Sequence, residues 1–134
     1  MKKTTQLISL AMAGMMLIST STFAYGVKDK AVEKATAAVE NAAPDDWKTL
    51  ASQADFLIRK DAGLSSAKQW LEKSLEIKED TYNLEVMGDY YMSSNLPAKA
   101  IAYYVKSIDK KREGNQTADT REIQEKVMAA RAKM

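Results

Sequence analysis

The sequence predicts an all-α fold built from antiparallel helical hairpins. Three observations carry this. From Val27 onward apolar residues recur three or four apart, the spacing of one helix face. No stretch alternates between apolar and polar residues as a half-buried strand would. And the pattern Ala-x-x-x-large-x-x-Ser occurs twice at one offset, as Ala67, Leu71, Ser74 and again as Ala100, Tyr104, Ser107, each pair 33 residues apart.

The chain opens differently. Met1-Lys2-Lys3 is a short basic start, Leu7 to Ile18 is apolar and uncharged, and Ser19 to Ala24 is small and mostly polar. That order is what a signal peptidase recognises. Residues 1–24 are therefore expected to be a signal peptide, cleaved after Ala24 or after Gly26. The apolar run is too short for a spanning helix, which needs roughly 20 residues. The chain has no cysteine, so it offers none for lipid attachment. The expected location is the periplasm or outside the cell.

Composition narrows the chemistry. The 134 residues include 20 lysines and arginines and 18 acids. Lys2 and Lys3 lie in the leader, so the remaining chain is formally neutral and gives no electrostatic case for nucleic acid or an anionic membrane. Histidine and cysteine are both absent. This removes thiol and Ser-His-Asp nucleophiles, the histidine general base and ordinary zinc sites. The sequence points to no catalytic residue, cofactor or metal, and to a binding role instead of an enzyme.

After the leader, an N-terminal helix is expected over 25–44, with Val32, Ala35, Val39 and Ala42 on one face. Pro44 ends it, because the residue before a proline resists helical geometry. Asp45 or Asp46 caps the next helix, a short carboxylate accepting from free amides. Its stripe is Trp47, Leu50, Ala51, Ala54, Leu57 and Ile58. Asp61-Ala62-Gly63 breaks it, and Ser65 or Ser66 is expected to cap a helix carrying Ala67, Trp70, Leu71, Ser74 and Leu75. Asp80 or Thr81 starts another, with Leu84, Met87, Gly88 and Tyr91. Asn95 and Pro97 mark a turn, Pro97 suiting a first helical turn. Ala100, Ile101, Tyr104, Ser107 and Ile108 follow, with Lys110, Lys111 and Arg112 favourably placed at the C-terminal end. Asp119 with Glu122 resembles a capping box before a last helix bearing Ile123, Val127 and Ala130.

Leu84-x-x-Met87-Gly88-x-x-Tyr91 followed by Ala100-x-x-x-Tyr104 resembles the tetratricopeptide repeat, whose period is about 34 residues with a W-x2-L-G-x2-Y then A-x3-F pattern. Gly88 and Ala100 permit two helices to approach closely, and Tyr91 and Tyr104 fill the space beside that contact. The first hairpin matches in two registers. Trp47, Leu50, Ala51 and Ala54 leave about four extra residues before Ala67, whereas Leu50, Ala54 and Leu57 leave about one and put Gln53 at an apolar position. The resemblance implies two hairpins, 45–78 and 79–113, flanked by the N-terminal helix and a capping helix over 114–134. About three repeats usually make such a stack stable, so the flanking helices are expected to cover its ends, with a homodimer as the alternative.

Family members bind a peptide or partner segment on a concave face lined by the first helix of each hairpin. Carried onto this chain, the face implies Tyr82, Glu85, Asp89 and Met92 on the second hairpin and Lys48 and Asp55 on the first, with Arg59 in one register. Glu85 and Asp89 favour a basic or neutral segment. The expected function is an exported interaction module for an unidentified protein or peptide. A structural or self-associating envelope protein is the alternative.

Overall fold

The computed structural model describes residues 21–134, with side chains from Tyr25 onward. The apolar run of the expected signal peptide lies outside the described residues, and both expected cleavage points fall within the first helix. The described residues form six helices and no strand: α1 (Ser21–Glu40), α2 (Trp47–Arg59), α3 (Leu64–Ile77), α4 (Thr81–Ser93), α5 (Pro97–Gly114) and α6 (Arg121–Arg131). None is long and apolar enough to cross a membrane.

The protein is all-α, and its helices stack in chain order. α2 pairs with α3 and α4 with α5, α1 packs on α2, α6 packs on α5, and α4 lies against both α2 and α3. α1 ends at Glu40, four residues short of the expected boundary. The Asn41 side-chain amide donates to the Ala37 carbonyl at 2.7 Å and closes its last turn.

The short turns show why α2–α3 and α4–α5 are antiparallel neighbours. At the end of α2, Asp61 N–H donates to Ile58 O and Ala62 N–H to Leu57 O; at the end of α4, Asn95 and Leu96 donate in the same way to Met92 and Tyr91. This is the Schellman arrangement, which satisfies the last free carbonyls and needs a left-handed residue. Asp61 (φ 47°) and Asn95 (φ 56°) supply it, and Asp and Asn are the non-glycine residues that tolerate it best. The first turn is one residue longer. It ends on Gly63 (φ 55°), where a Cβ would sit 2.8 Å from Val32 Cγ2 and 3.1 Å from Leu57 Cδ1. Glycine here meets both a backbone and a space requirement.

That extra residue decides the register of the first hairpin. α2 and α4 begin 34 residues apart and α3 and α5 begin 33 apart. Leu50 therefore corresponds to Leu84, Ala54 to Gly88 and Leu57 to Tyr91. The same polar tie recurs in both hairpins: Ser74 Oγ donates to Trp47 O and Ser107 Oγ to Thr81 O, each at 2.8 Å. Both serines are fully buried and pin the second helix to the first residue of its partner.

Caps follow the sequence at α2, α4 and α5. Asp46 accepts from Thr49 N at 3.0 Å, and Pro97 opens α5. Asp80 forms a reciprocal box in which its carboxylate accepts from Tyr82 N and its own amide donates to Asn83 Oδ1. Two expectations are corrected. α3 is capped by Gly63, not by Ser65 or Ser66, because the Schellman turn leads straight into it. α6 follows Thr120. Asp119 binds Arg121 through the backbone amide and the guanidinium, which holds its carboxyl down at about 2, well below the usual carboxylate range.

The core has two parts. One gathers Ala31 and Ala35 of α1 with Ala51, Ala54, Leu57 and Ile58 of α2, Ala67 and Leu71 of α3, and Val86 and Met87 of α4. The other gathers Ala100, Tyr104 and Ile108 of α5 with Ile123, Val127 and Ala130 of α6. Tyr91 packs against both and stacks on Tyr103 with ring centroids 5.4 Å apart.

Candidate interaction cleft

The N-terminal halves of α2 and α4 leave a cleft of about 470 Å³ between them, lined by Trp47, Lys48, Thr49, Ser52, Lys78, Asp80 and Tyr82. The repeat geometry creates it. Asp46 and Asp80 cap equivalent helices, so the first turns of α2 and α4 lie side by side, and the α3–α4 connection brings Lys78 to their edge.

Trp47 is the aromatic centre of the cleft. It is half-buried, its carbonyl held by Ser74. Two ammonium groups converge on its ring, Lys48 Nζ at 5.6 Å and Lys78 Nζ at 5.2 Å from the centroid. Both distances are within cation–π range, a contact worth about 0.5–1 kcal/mol at an exposed site. The acids nearby are already committed. Asp80 caps α4 and lies 3.9 Å from Lys78, the outer limit of an ion pair. Asp46 accepts from both the amide and the hydroxyl of Thr49, and that hydrogen bonding lowers its carboxyl.

Of the residues implied by the sequence, Lys48 and Tyr82 line this cleft. Asp55 sits beside it: the Tyr82 hydroxyl donates to its Oδ2 over a long 3.5 Å, and Arg59 pairs with it one helical turn on. Burial, then the Asp55 charge, pushes the Tyr82 phenol up.

Glu85 and Asp89 are used elsewhere. Lys126 of α6 reaches across to both, 2.7 Å from Glu85 Oε1 and 2.8 Å from Asp89 Oδ2. Asp89 also accepts from the Tyr104 hydroxyl at 2.7 Å, and Lys126 Nζ lies 5.8 Å from the Tyr104 ring centroid. The side chains are 30 % (Lys126), 20 % (Glu85) and 27 % (Asp89) exposed, so the group is largely withdrawn from water. Burial is the largest single influence on Lys126 and lowers its pKa, but the hydrogen bonds and charges of Asp89 and Glu85 together outweigh it and hold the ammonium above the ordinary lysine value. Burial, then the bond to Asp89, pushes the Tyr104 phenol far up. Met92 is half-buried against the α5–α6 core. The implied face thus divides: Lys48, Tyr82 and Asp55 are grouped at the cleft, while Glu85, Asp89 and Met92 bind α5 and α6.

Trp47, Thr49, Ser52, Lys78 and Asp80 are the lining residues that the sequence did not single out. The available signal was position, since Trp47 directly follows an N-cap and Lys78 stands just before the equivalent one. Every buried side-chain polar atom among the described residues has a hydrogen-bond partner, and no group of three acidic residues there is arranged to hold a metal.

Comparison with protein-family models, with curated proteins and with solved structures gives no match.

Proposed function

We propose that the protein is an exported, non-catalytic interaction module of tetratricopeptide type that receives a protein or peptide segment in the α2–α4 cleft. The observation that carries this reading is the cleft itself. The two equivalent first helices of consecutive hairpins approach each other there, and an indole, a phenol and two lysine side chains line the same opening. Aromatic and long cationic side chains of this kind supply contact area with directional polar ends, the composition enriched at partner-binding hot spots. The repeated serine ties, the paired Schellman turns and the 34- and 33-residue offsets support the tetratricopeptide reading. The basic, apolar and small-residue order of residues 1–24 supports export to the periplasm or beyond.

Capture from an envelope extract tests the reading. The protein should retain a specific partner that a Lys48→Glu/Tyr82→Ala variant loses while keeping its helical circular dichroism. Equal recovery by both proteins counts against the cleft. A self-associating structural protein is the second reading, favoured by Met128, which is 62 % exposed at the end of the stack. Sizing across a concentration series separates the two, since a strict monomer excludes self-association.

A further inference from the structure

We infer that the cleft selects an acidic segment of a partner protein, with carboxylates set against Lys48 and Lys78 and an apolar side chain laid on Trp47. This rests on the cleft being the binding site and goes beyond it in naming the chemistry of the occupant. It also reverses the preference for a basic segment suggested by Glu85 and Asp89.

Of the acids on or near the first-helix face, Asp46, Asp55, Asp80, Glu85 and Asp89 are already engaged, Asp46 by Thr49. Glu85 and Asp89 share Lys126, and Asp89 also accepts from the Tyr104 hydroxyl. Asp55 is paired with Arg59 and faces the Tyr82 hydroxyl. Asp80 spends its carboxylate on the first turn of α4. The lysines are not so engaged. Lys48 is exposed and forms no ion pair among the described residues, and Lys78 has only the 3.9 Å approach to Asp80. Two ammonium groups held over one indole repel each other, and each additional anion placed beside them lowers that repulsion. A basic segment would add a third cation, and the carboxylate in the cleft lining, Asp80, is already engaged in the α4 cap.

The indole decides the second half. Trp47 is half-buried, and the Nζ atoms of two exposed lysines, Lys48 and Lys78, stand over its ring. Lysine stems are apolar and can move aside while their heads stay near an anion. A segment with adjacent acidic and aromatic or aliphatic residues meets both demands, and free anions meet only the first.

The probes are amidated, acetylated hexapeptides of two Glu-Glu-Phe units, with the Gln-Gln-Phe and Lys-Lys-Phe analogues, titrated into the full chain by calorimetry. The Glu-Glu-Phe peptide should bind saturably, and added salt should weaken it, because exposed charges are screened over about 10 Å at 0.1 M. Lys48→Gln/Lys78→Gln should weaken it by roughly tenfold or more, as removal of complementary charge at an exposed site does, and Lys48→Arg/Lys78→Arg should retain binding. Both lysines are exposed, so circular dichroism of these variants should match the parent. Binding of the Gln or Lys peptide as tight as that of the Glu peptide overturns the acidic preference and leaves the cleft reading standing. Absence of binding by all three overturns both. Binding that survives Lys48→Gln/Lys78→Gln unchanged also overturns the inference.

Discussion

Where the first hairpin has Ala54 and Leu71, the second has Gly88 and Tyr104. Volume has moved from one helix to the other, and a phenol now fills the space. A Cβ on Gly88 would fall 2.4 Å from Tyr104 Cε1 and 2.5 Å from Cδ1, so the glycine is required by the ring. The exchange also changes the polar wiring. Leu71 ends the first hairpin in a dry contact. Tyr104 carries a hydroxyl to Asp89, and Asp89 continues to Lys126 on α6. One hairpin is joined polarly to the helix that closes the stack. The cleft opens between the first turns of α2 and α4, N-terminal to these ties on α4. The second hairpin thus anchors the closing helix, while residues of both hairpins line the cleft.

The largest expected effect concerns the junction between the hairpins. Asn83 is fully buried and donates to both Ser74 Oγ and Lys78 O while accepting from Asp80 N. Through Ser74 it joins α2, α3 and α4. Asn83→Ala strands several buried polar groups and should cost about 3 kcal/mol in urea unfolding, whereas Ser107→Ala removes a single tie and should cost about 1 kcal/mol. Equal costs would show that the junction is not a network.

Next is the Gly88–Tyr104 pair. Gly88→Ala should cost about 2 kcal/mol from overpacking, despite alanine's better helix propensity. In a Tyr104→Leu background, which recreates the first hairpin's pair, the same change should be neutral or stabilising. An additive cycle would mean that the two residues are not coupled.

A smaller effect appears in alkali. Tyr104 and Lys126 hold their protons more tightly in the folded chain than the ordinary values of 10.0 and 10.5. Their stabilisation is therefore complete below about pH 10 and is lost as pH rises through the folded values. The urea midpoint should fall above pH 10, and Tyr104→Phe/Lys126→Met should flatten that fall. An unchanged slope in the variant would place the alkaline sensitivity elsewhere.

What the sequence made legible was local. The caps at Asp46 and Asp80, Pro97 at the start of α5 and the close approach at Gly88 all rest on residues within a turn or on a repeat spacing. What it missed depends on contacts between distant segments. Gly63 is fixed by Val32 of α1 as much as by its own turn. Lys126 meets Asp89 across 37 residues, and nothing in the spacing of either helix signals that an acid on α4 is already taken. Lys78 reaches the cleft from a connection that periodicity does not describe. Of the residues that the resemblance implies for a partner face, Lys48 and Tyr82 line the cleft with Asp55 beside it, whereas Glu85, Asp89 and Met92 contact α5 and α6.

The difference between the anchored Glu85–Asp89 group and the open cleft is tested most directly by thermal unfolding of two single-lysine variants measured side by side. Lys126→Met leaves two half-buried carboxylates without their cation and should cost about 1–2 kcal/mol, between the values for exposed and buried pairs. That lowers the midpoint by about 4 °C or more for a domain of this size. Lys48→Met removes an exposed ammonium with no ion-pair partner among the described residues, exchanges its cation–π contact with Trp47 for a sulfur–aromatic one, and should leave the midpoint within about 2 °C, the surface-substitution range. Equal midpoints for the two variants, or a larger fall for Lys48→Met, would contradict the account.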